Sequence, residues 1–212
     1  MPRGGLGKTT DGPVARLINR RVSALVTRAI LRSGLNVTPN QVTAIVFALS
    51  ILTATLIGMG ELVIGGVLVQ LCSILDGVDG EIARARGLSS RKGAFIDTMA
   101  DRYSNMLFLA ATAYVSASAA SPSLAVLAAV IAISGDLMVS YLHSRAKMDF
   151  GVHPALIGPL DSAASRDVRL LLLAILLIVE KPLIALLVVG LLGHLYVVVK
   201  MFSLLRLDEK NS

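Results

Sequence analysis

Apolar residues along this chain run in long blocks, each separated from the next by a short polar cluster containing Pro, Gly or charge. Each block is roughly 20 residues, the length an α-helix needs to cross a bilayer core. Thr38-Pro39-Asn40 predicts the start of a first spanning helix that ends at Gly58-Met59-Gly60, since Pro suits the first turn and Gly the exit. A second helix is predicted from about Glu61 to Arg86, a third from Ser90 to Ser116 and a fourth from Pro122 to Lys147. Residues 148–165 carry two Pro and two Gly and read as a loop. A fifth helix then runs from about Arg166 to Val179, and the Glu180-Lys181-Pro182 turn leads into a sixth that ends near Leu205.

The pattern differs ahead of these blocks. Residues 12–35 predict an amphipathic helix, with Val14, Leu17, Ile18, Val22, Leu25, Val26, Ile30 and Leu31 on one side and Arg16, Arg20, Arg21, Arg28 and Arg32 mostly elsewhere. A basic amphipathic segment without acids suits an anionic membrane surface; packing on the bundle is the alternative. Residues 1–11 read as a Gly-rich, basic, mobile tail with no signal peptide. The expectation is therefore an all-α integral membrane protein: tail 1–11, juxtamembrane helix 12–35, and a six-helix transmembrane domain over 36–212. There is no internal repeat.

Composition narrows the class. Of 212 residues, 55% are hydrophobic and only 16% charged, against about 25% charge in soluble domains. Such a chain is too apolar for intrinsic disorder. A single cysteine rules out an internal disulfide and a cysteine-based zinc cluster. Of the 20 Lys and Arg, all but Lys181 fall in the N-terminal segment, the second-to-third junction, the fourth-to-fifth junction or the C-terminal end. The positive-inside rule then places both termini and those junctions in the cytoplasm. Because the basic residues follow membrane orientation, nucleic-acid binding has no support.

Residues 76–101, DGVDGEIARARGLSSRKGAFIDTMAD, carry the candidate chemistry. Asp76, Asp79, Gly80 and Ala83 share one helix face, and Gly93, Asp97 and Asp101 share a face of the next helix. A short turn lets the two faces oppose each other at the cytoplasmic surface. Four carboxylates in an apolar setting need compensation. With only oxygen ligands nearby, one or two Mg²⁺ or Mn²⁺ ions fit best. Such ions suit a diphosphate substrate, whose oxygens they neutralise and orient. Gly80, Ala83 and Gly93 leave room for a nucleotide, Arg84 is placed to reach a phosphate oxygen, and Asp101, deepest in the row, suits a general base toward an acceptor hydroxyl.

This stretch resembles the signature of the CDP-alcohol phosphotransferases, D-x2-D-G-x2-A-R-x8-G-x3-D-x3-D, and fits every fixed position: Asp76, Asp79, Gly80, Ala83, Arg84, Gly93, Asp97 and Asp101. The resemblance implies a homodimeric membrane enzyme in which the four Asp hold two metal ions and the last Asp acts as base. The acceptor hydroxyl attacks the phosphorus bearing the donor alcohol, and CMP leaves. The runs TDGPVARLINRRVS and TPNQVT, with SILDGVDGEIARA, are similar to the inositol-phosphate-using branch. That branch implies CDP-inositol and inositol 1-phosphate as substrates, giving di-myo-inositol phosphate phosphate. In its two-domain members a cytidylyltransferase domain comes first; none is seen in this sequence, so the donor is expected from another protein. The alternative is a phospholipid synthase of phosphatidylinositol phosphate or phosphatidylglycerol phosphate type, using CDP-diacylglycerol or CDP-archaeol.

A phosphorylated acceptor needs cations, and Arg145, Lys147, Arg166 and Arg169 flank the fourth-to-fifth junction on the Asp side. Ordinary positive-inside flanks are the competing reading. Arg102 is expected either near the site or paired with Asp136, the lone acid within helix four. Cys72 reads as core, and His194 as a core polar contact; His143 and His153 carry no motif. Glu81, off the shared face, reads as solvent-facing. Gly65-Gly66 and Gly190 with Gly193 mark close helix packing or a dimer contact. Two rivals remain. A cation transporter would place its site at the midplane with repeats or broken helices, and a prenyltransferase would carry two separated Asp-rich motifs on a longer chain.

Overall fold

A computed structural model describes residues 12–160 and 162–209; the predicted tail over 1–11 lies outside them. One π-helical turn, Ala15–Asn19, leads into α1 (Arg20–Arg32). Then follow α2 (Pro39–Gly58), α3 (Leu62–Arg86), α4 (Arg91–Ala119), α5 (Pro122–Asp149), α6 (Arg166–Ile178) and α7 (Pro182–Glu209). A 3₁₀ turn, Pro154–Leu156, interrupts the loop before α6. No strand occurs among the described residues.

The helix ends have identifiable local causes. Thr38 and Gln41 form a capping box at α2: the Gln41 amide donates to Thr38 Oγ1 (3.3 Å) and the Thr38 amide to Gln41 Oε1 (2.8 Å). Ser90 caps α4 by accepting from the Gly93 amide (3.0 Å), and Ser121 caps α5 by accepting from the Leu124 amide (3.3 Å). Gly87 ends α3 at φ +66°, a left-handed conformation that an L side chain would strain. This tight exit keeps the α3–α4 junction to four residues, Gly87 to Ser90.

The buried centre is formed by Ile57 of α2, Val69 of α3, Phe108 of α4, Leu173 and Leu177 of α6, and Leu186 of α7. Cys72 is buried there, as expected. Helix α5 packs on α7, α2 packs on both α3 and α4, and α3 packs on α6. The glycines serve these contacts within the chain, not a face left open for a second copy. A Cβ on Gly190 would come within 2.8 Å of the Ala132 backbone nitrogen, and one on Gly66 within 2.6 Å of the Ala174 carbonyl. His194 makes the expected polar contact, 3.2 Å from Ser134 Oγ.

Ile45, Ile51, Leu52, Ile64, Val67, Val126 and Val130 are exposed on the outer faces. An apolar perimeter of this kind fits a bilayer and not water. Four helices, α2, α3, α5 and α7, are long and apolar enough to cross a membrane. The other two predicted spans do not meet that measure. Helix α6 has 13 residues, about 20 Å at ~1.5 Å per residue, short of a ~30 Å core. Helix α4 begins with the charged run from Arg91 to Arg102.

Candidate functional site

Helices α3 and α4 both lean on α2, and the cleft this leaves holds Asp76 and Asp79 of α3 and Asp97 and Asp101 of α4. Thr43, Val46 and Phe47 of α2 form the back wall. Carboxylate oxygens of Asp76, Asp97 and Asp101 lie within 4.8 Å of one another. Asp79 accepts from Thr43 Oγ1 (2.6 Å) and from the Gly80 amide. The sequence spacing therefore brings the predicted carboxylates together as expected.

Among the described residues, one cation forms ion pairs within this cluster. Arg166, the first residue of α6, places Nη1 2.7 Å from Asp76 Oδ2 and 3.1 Å from Asp101 Oδ1. Its Nε donates to Asn105 Oδ1 (3.1 Å), and Asn105 Nδ2 donates onward to both oxygens of Asp136 at 3.2 Å. A single guanidinium cannot balance four carboxylates. The donor set is all oxygen, which suits hard divalent cations. The residues present thus fit the metal ions that the motif implies.

Two larger cavities open beside the carboxylates, each bordered by a different pair of them. The first, about 360 Å³, is lined by Thr38, Asn40, Gly80, Ala83, Arg84 and Gly93, with Asp79 and Asp97 at its inner edge. Gly80 lies under the Arg84 guanidinium: a Cβ there would be 3.2 Å from Nη1. Arg86 ties the wall together by donating to the carbonyls of Val37 and Leu35, each at 2.7 Å. Sequence reasoning missed Thr38, Asn40 and Thr43 as site residues. Their signal is the run TPNQVT, which starts α2 and also belongs to the stretches similar to the inositol-phosphate-using branch.

The second cavity, about 300 Å³, is lined by Arg20, Arg102, Arg166, His143 and His153, together with Asp76, Asp101 and Asp167. Arg102 Nε and Ser165 Oγ, on residues of its wall, are buried without a hydrogen-bond partner among the described residues. His143 Nε2 lies 3.2 Å from the Tyr196 hydroxyl and packs on His153, ring centroids 4.6 Å apart. Burial, then the charges of Lys147 and Lys200, push His153 below its ordinary pKa, so it is neutral at neutral pH. Asp76 and Asp101 border this cavity, whereas Asp79 and Asp97 border the first.

The four cations at the fourth-to-fifth junction separate in space. Arg166 reaches the carboxylates. Arg169 instead turns into the bundle, where Nη2 meets Asp136 at 2.8 Å, Nε meets the same oxygen at 3.0 Å and Nη1 donates to the Ala164 carbonyl. Asp136 is therefore paired with Arg169, not Arg102. Arg145 pairs with Asp149 at the surface (2.8 Å), and neither Arg145 nor Lys147 lines either cavity. Glu81 is another correction: it is fully buried, because α1 and not solvent covers that side of α3. Arg20, on α1, is the cavity cation that the sequence reading did not single out.

Known proteins resemble this chain closely. It is 41% identical to the bifunctional IPC transferase and DIPP synthase of Rubrobacter xylanophilus over 206 residues, 97% of this chain and 45% of that protein. It therefore spans less than half the length of that relative. The phosphatidylinositol phosphate synthase of Mycobacteroides abscessus is 34% identical over 136 residues, covering 62% of this chain and 61% of the relative. The fold matches the crystal structure of the Mycobacterium tuberculosis phosphatidylinositol phosphate synthase with CDP-DAG bound. That match has a TM-score of 0.71 and 24% identity, over 87% of this chain and 94% of the other. The sequence model of CDP-alcohol phosphatidyltransferases matches residues 36–205, a stretch that contains both carboxylate-bearing helices, and the chain accordingly belongs to the CDP-alcohol phosphatidyltransferase family.

Proposed function

We propose that this protein transfers a substituted phosphate group from a CDP-alcohol to an acceptor hydroxyl and releases CMP, with CDP-inositol and inositol 1-phosphate as substrates and di-myo-inositol phosphate phosphate as product. The observation that carries the reading is the row of Asp76, Asp79, Asp97 and Asp101 bordering two cavities of different chemistry. The glycine-lined cavity, with Arg84 over Gly80, takes the cytidine nucleotide. The cavity with Arg20, Arg102 and Arg166 takes a phosphorylated acceptor, because guanidinium groups pair with phosphate oxygens. The relatives named as DIPP synthases support the inositol phosphate branch.

In this reading Asp76, Asp79, Asp97 and Asp101 hold two Mg²⁺ or Mn²⁺ ions, which supply charge neutralisation on the diphosphate and on the departing CMP. Asp101 borders the acceptor cavity and takes the proton of the attacking hydroxyl. The new bond joins that oxygen to the phosphorus bearing the donor alcohol, and the bond that breaks is the one to the CMP oxygen. Arg166 holds Asp76 and Asp101 in register across the cleft. Gly80, Ala83 and Gly93 keep the nucleotide wall low.

The protein sits in the membrane with six crossings, α4 and α6 completing the four apolar spans, and with both termini and the site on the cytoplasmic side. The support is the distribution of Lys and Arg. Helix α1 and the turn before it lie on the membrane surface: Ile18, Val22 and Leu25 are exposed together beside Arg21, Arg28 and Arg32. A homodimer is proposed on family resemblance alone. Arg145, Lys147 and Arg169 were candidates for the acceptor phosphate; Arg166 is the one whose position supports that role.

The test is CMP release by purified protein with Mg²⁺. Release that requires both CDP-inositol and inositol 1-phosphate supports the reading. No release there, but release with CDP-diacylglycerol and inositol 1-phosphate, replaces it with the phospholipid synthase, which the phosphatidylinositol phosphate synthases among the relatives favour as the second reading.

A further inference from the structure

The face of α1 that meets the bundle carries polar residues at its most buried positions. Ser23 and Thr27 are fully buried there, and both donate to Glu81 of α3: Ser23 Oγ to Oε1 at 2.6 Å and Thr27 Oγ1 to Oε2 at 2.7 Å. Arg20 Nη1 completes the arrangement, 3.3 Å from Glu81 Oε1 and 3.5 Å from the Gly77 carbonyl. Gly77 leaves the room for it, since a Cβ there would lie 2.6 Å from Nη1. A buried carboxylate is costly unless paired and hydrogen-bonded, so Glu81 fixes both the seat of α1 and the place of its ionic partner Arg20. Arg20 in turn lines the cavity that Asp76, Asp101 and Arg166 border. The catalytic helix thus reaches out one turn beyond Gly77 to hold a cation supplied by another helix.

We propose that Glu81 is a positioning residue, which seats α1 on α3 and so holds the Arg20 guanidinium against the second cavity as part of an anion site. This rests on the reading of that cavity as the acceptor site. Arg20 contributes attraction for phosphate, and Glu81 contributes only through Arg20. Other contacts keep α1 attached when Glu81 is altered: in the turn before it Asn19 Nδ2 donates to Ser73 Oγ at 3.1 Å, and Val26 and Ile30 pack against the cluster of Val42, Val46, Val78 and Ile82.

The test is equilibrium binding of inorganic phosphate to the full chain in detergent with Mg²⁺, for wild type, Arg20→Gln, Arg20→Lys, Glu81→Gln and the Arg20→Gln/Glu81→Gln double variant. A lost charge-assisted hydrogen bond should weaken binding on the order of tenfold. The expected pattern is such a loss in both single glutamine variants, no further loss in the double variant, and partial recovery in Arg20→Lys. A role limited to holding α1 in place would lower the melting temperature of Glu81→Gln without moving the phosphate affinity, and that result overturns the proposal. So does unaltered binding by Arg20→Gln, or a wild type that binds no phosphate. CMP release by the wild type from CDP-inositol and inositol 1-phosphate is scored separately. Its failure, with the binding pattern intact, removes the substrate assignment and leaves the anion site standing.

Discussion

Arg166 stands 2.7 Å from Asp76, an ion pair that joins the first residue of α6 to the carboxylate face of α3. The same nitrogen reaches Asp101 on α4 at 3.1 Å, so one side chain spans the cleft. Lysine keeps the charge but cannot reproduce the fork. Arg166→Lys is expected to lower kcat/KM for the acceptor by roughly tenfold to a hundredfold, the range for a lost hydrogen bond to a charged group. Steady-state CMP release at varied acceptor concentration measures this; wild-type kinetics would remove Arg166 from the site.

Asp97 offers a sharper test of the metal assignment. Its carboxylate lies within 4.8 Å of those of Asp76 and Asp101 and borders the first cavity. Asparagine keeps the shape and one oxygen but removes the charge that a divalent ion requires. Asp97→Asn should abolish turnover while the protein elutes as the wild type does and, without divalent ions, melts as it does. Near-normal CMP release would contradict the assignment.

Much of this architecture is legible in the sequence because it is written locally. Pro39, Pro122 and Pro182 sit in first turns, Ser90 caps α4 and Gly87 closes α3, so those helix ends follow from neighbouring residues alone. The i, i+3 and i, i+4 spacings of Asp76, Asp79, Asp97 and Asp101 likewise give the shared faces. What the sequence hides is long-range pairing. Arg166 and Arg169 are three residues apart with identical chemistry, yet one enters the carboxylate cleft and the other a buried pair with Asp136 on α5. Helix α1 misleads for another reason. In a bilayer, apolar residues face lipid as readily as protein, so its exposed Val22 and Leu25 say nothing of which side meets the bundle. The side that does is marked by Ser23 and Thr27.

Metal dependence should follow the same donors. Removing divalent ions with a chelator is expected to stop CMP release completely, and Mg²⁺ or Mn²⁺ should restore it, since both accept all-oxygen sites. Because four carboxylates in one cleft repel one another without counter-charge, Mg²⁺ should also raise the melting temperature of the wild type, by binding the folded state alone. That rise should shrink in Asp97→Asn. An equal rise in both proteins would place the stabilising ions elsewhere.

The Arg169–Asp136 pair makes a prediction about stability and not chemistry. Both side chains are nearly inaccessible, 3% and 4% exposed, and Nη2 meets Oδ1 at 2.8 Å. Removing one member leaves the other charge buried without its partner, at a cost of about 3–5 kcal/mol. Arg169→Met should therefore unfold at a markedly lower temperature, and Asp136→Asn should do the same. The double variant Arg169→Met/Asp136→Leu leaves no orphaned charge and should recover much of the loss, because an apolar replacement of a buried pair is often neutral. Helix α6 also carries Arg166, so the single variants will perturb turnover indirectly. The double variant separates the two effects. Restored melting with restored CMP release marks Arg169 as a bundle residue, whereas restored melting without activity would return it to the acceptor site.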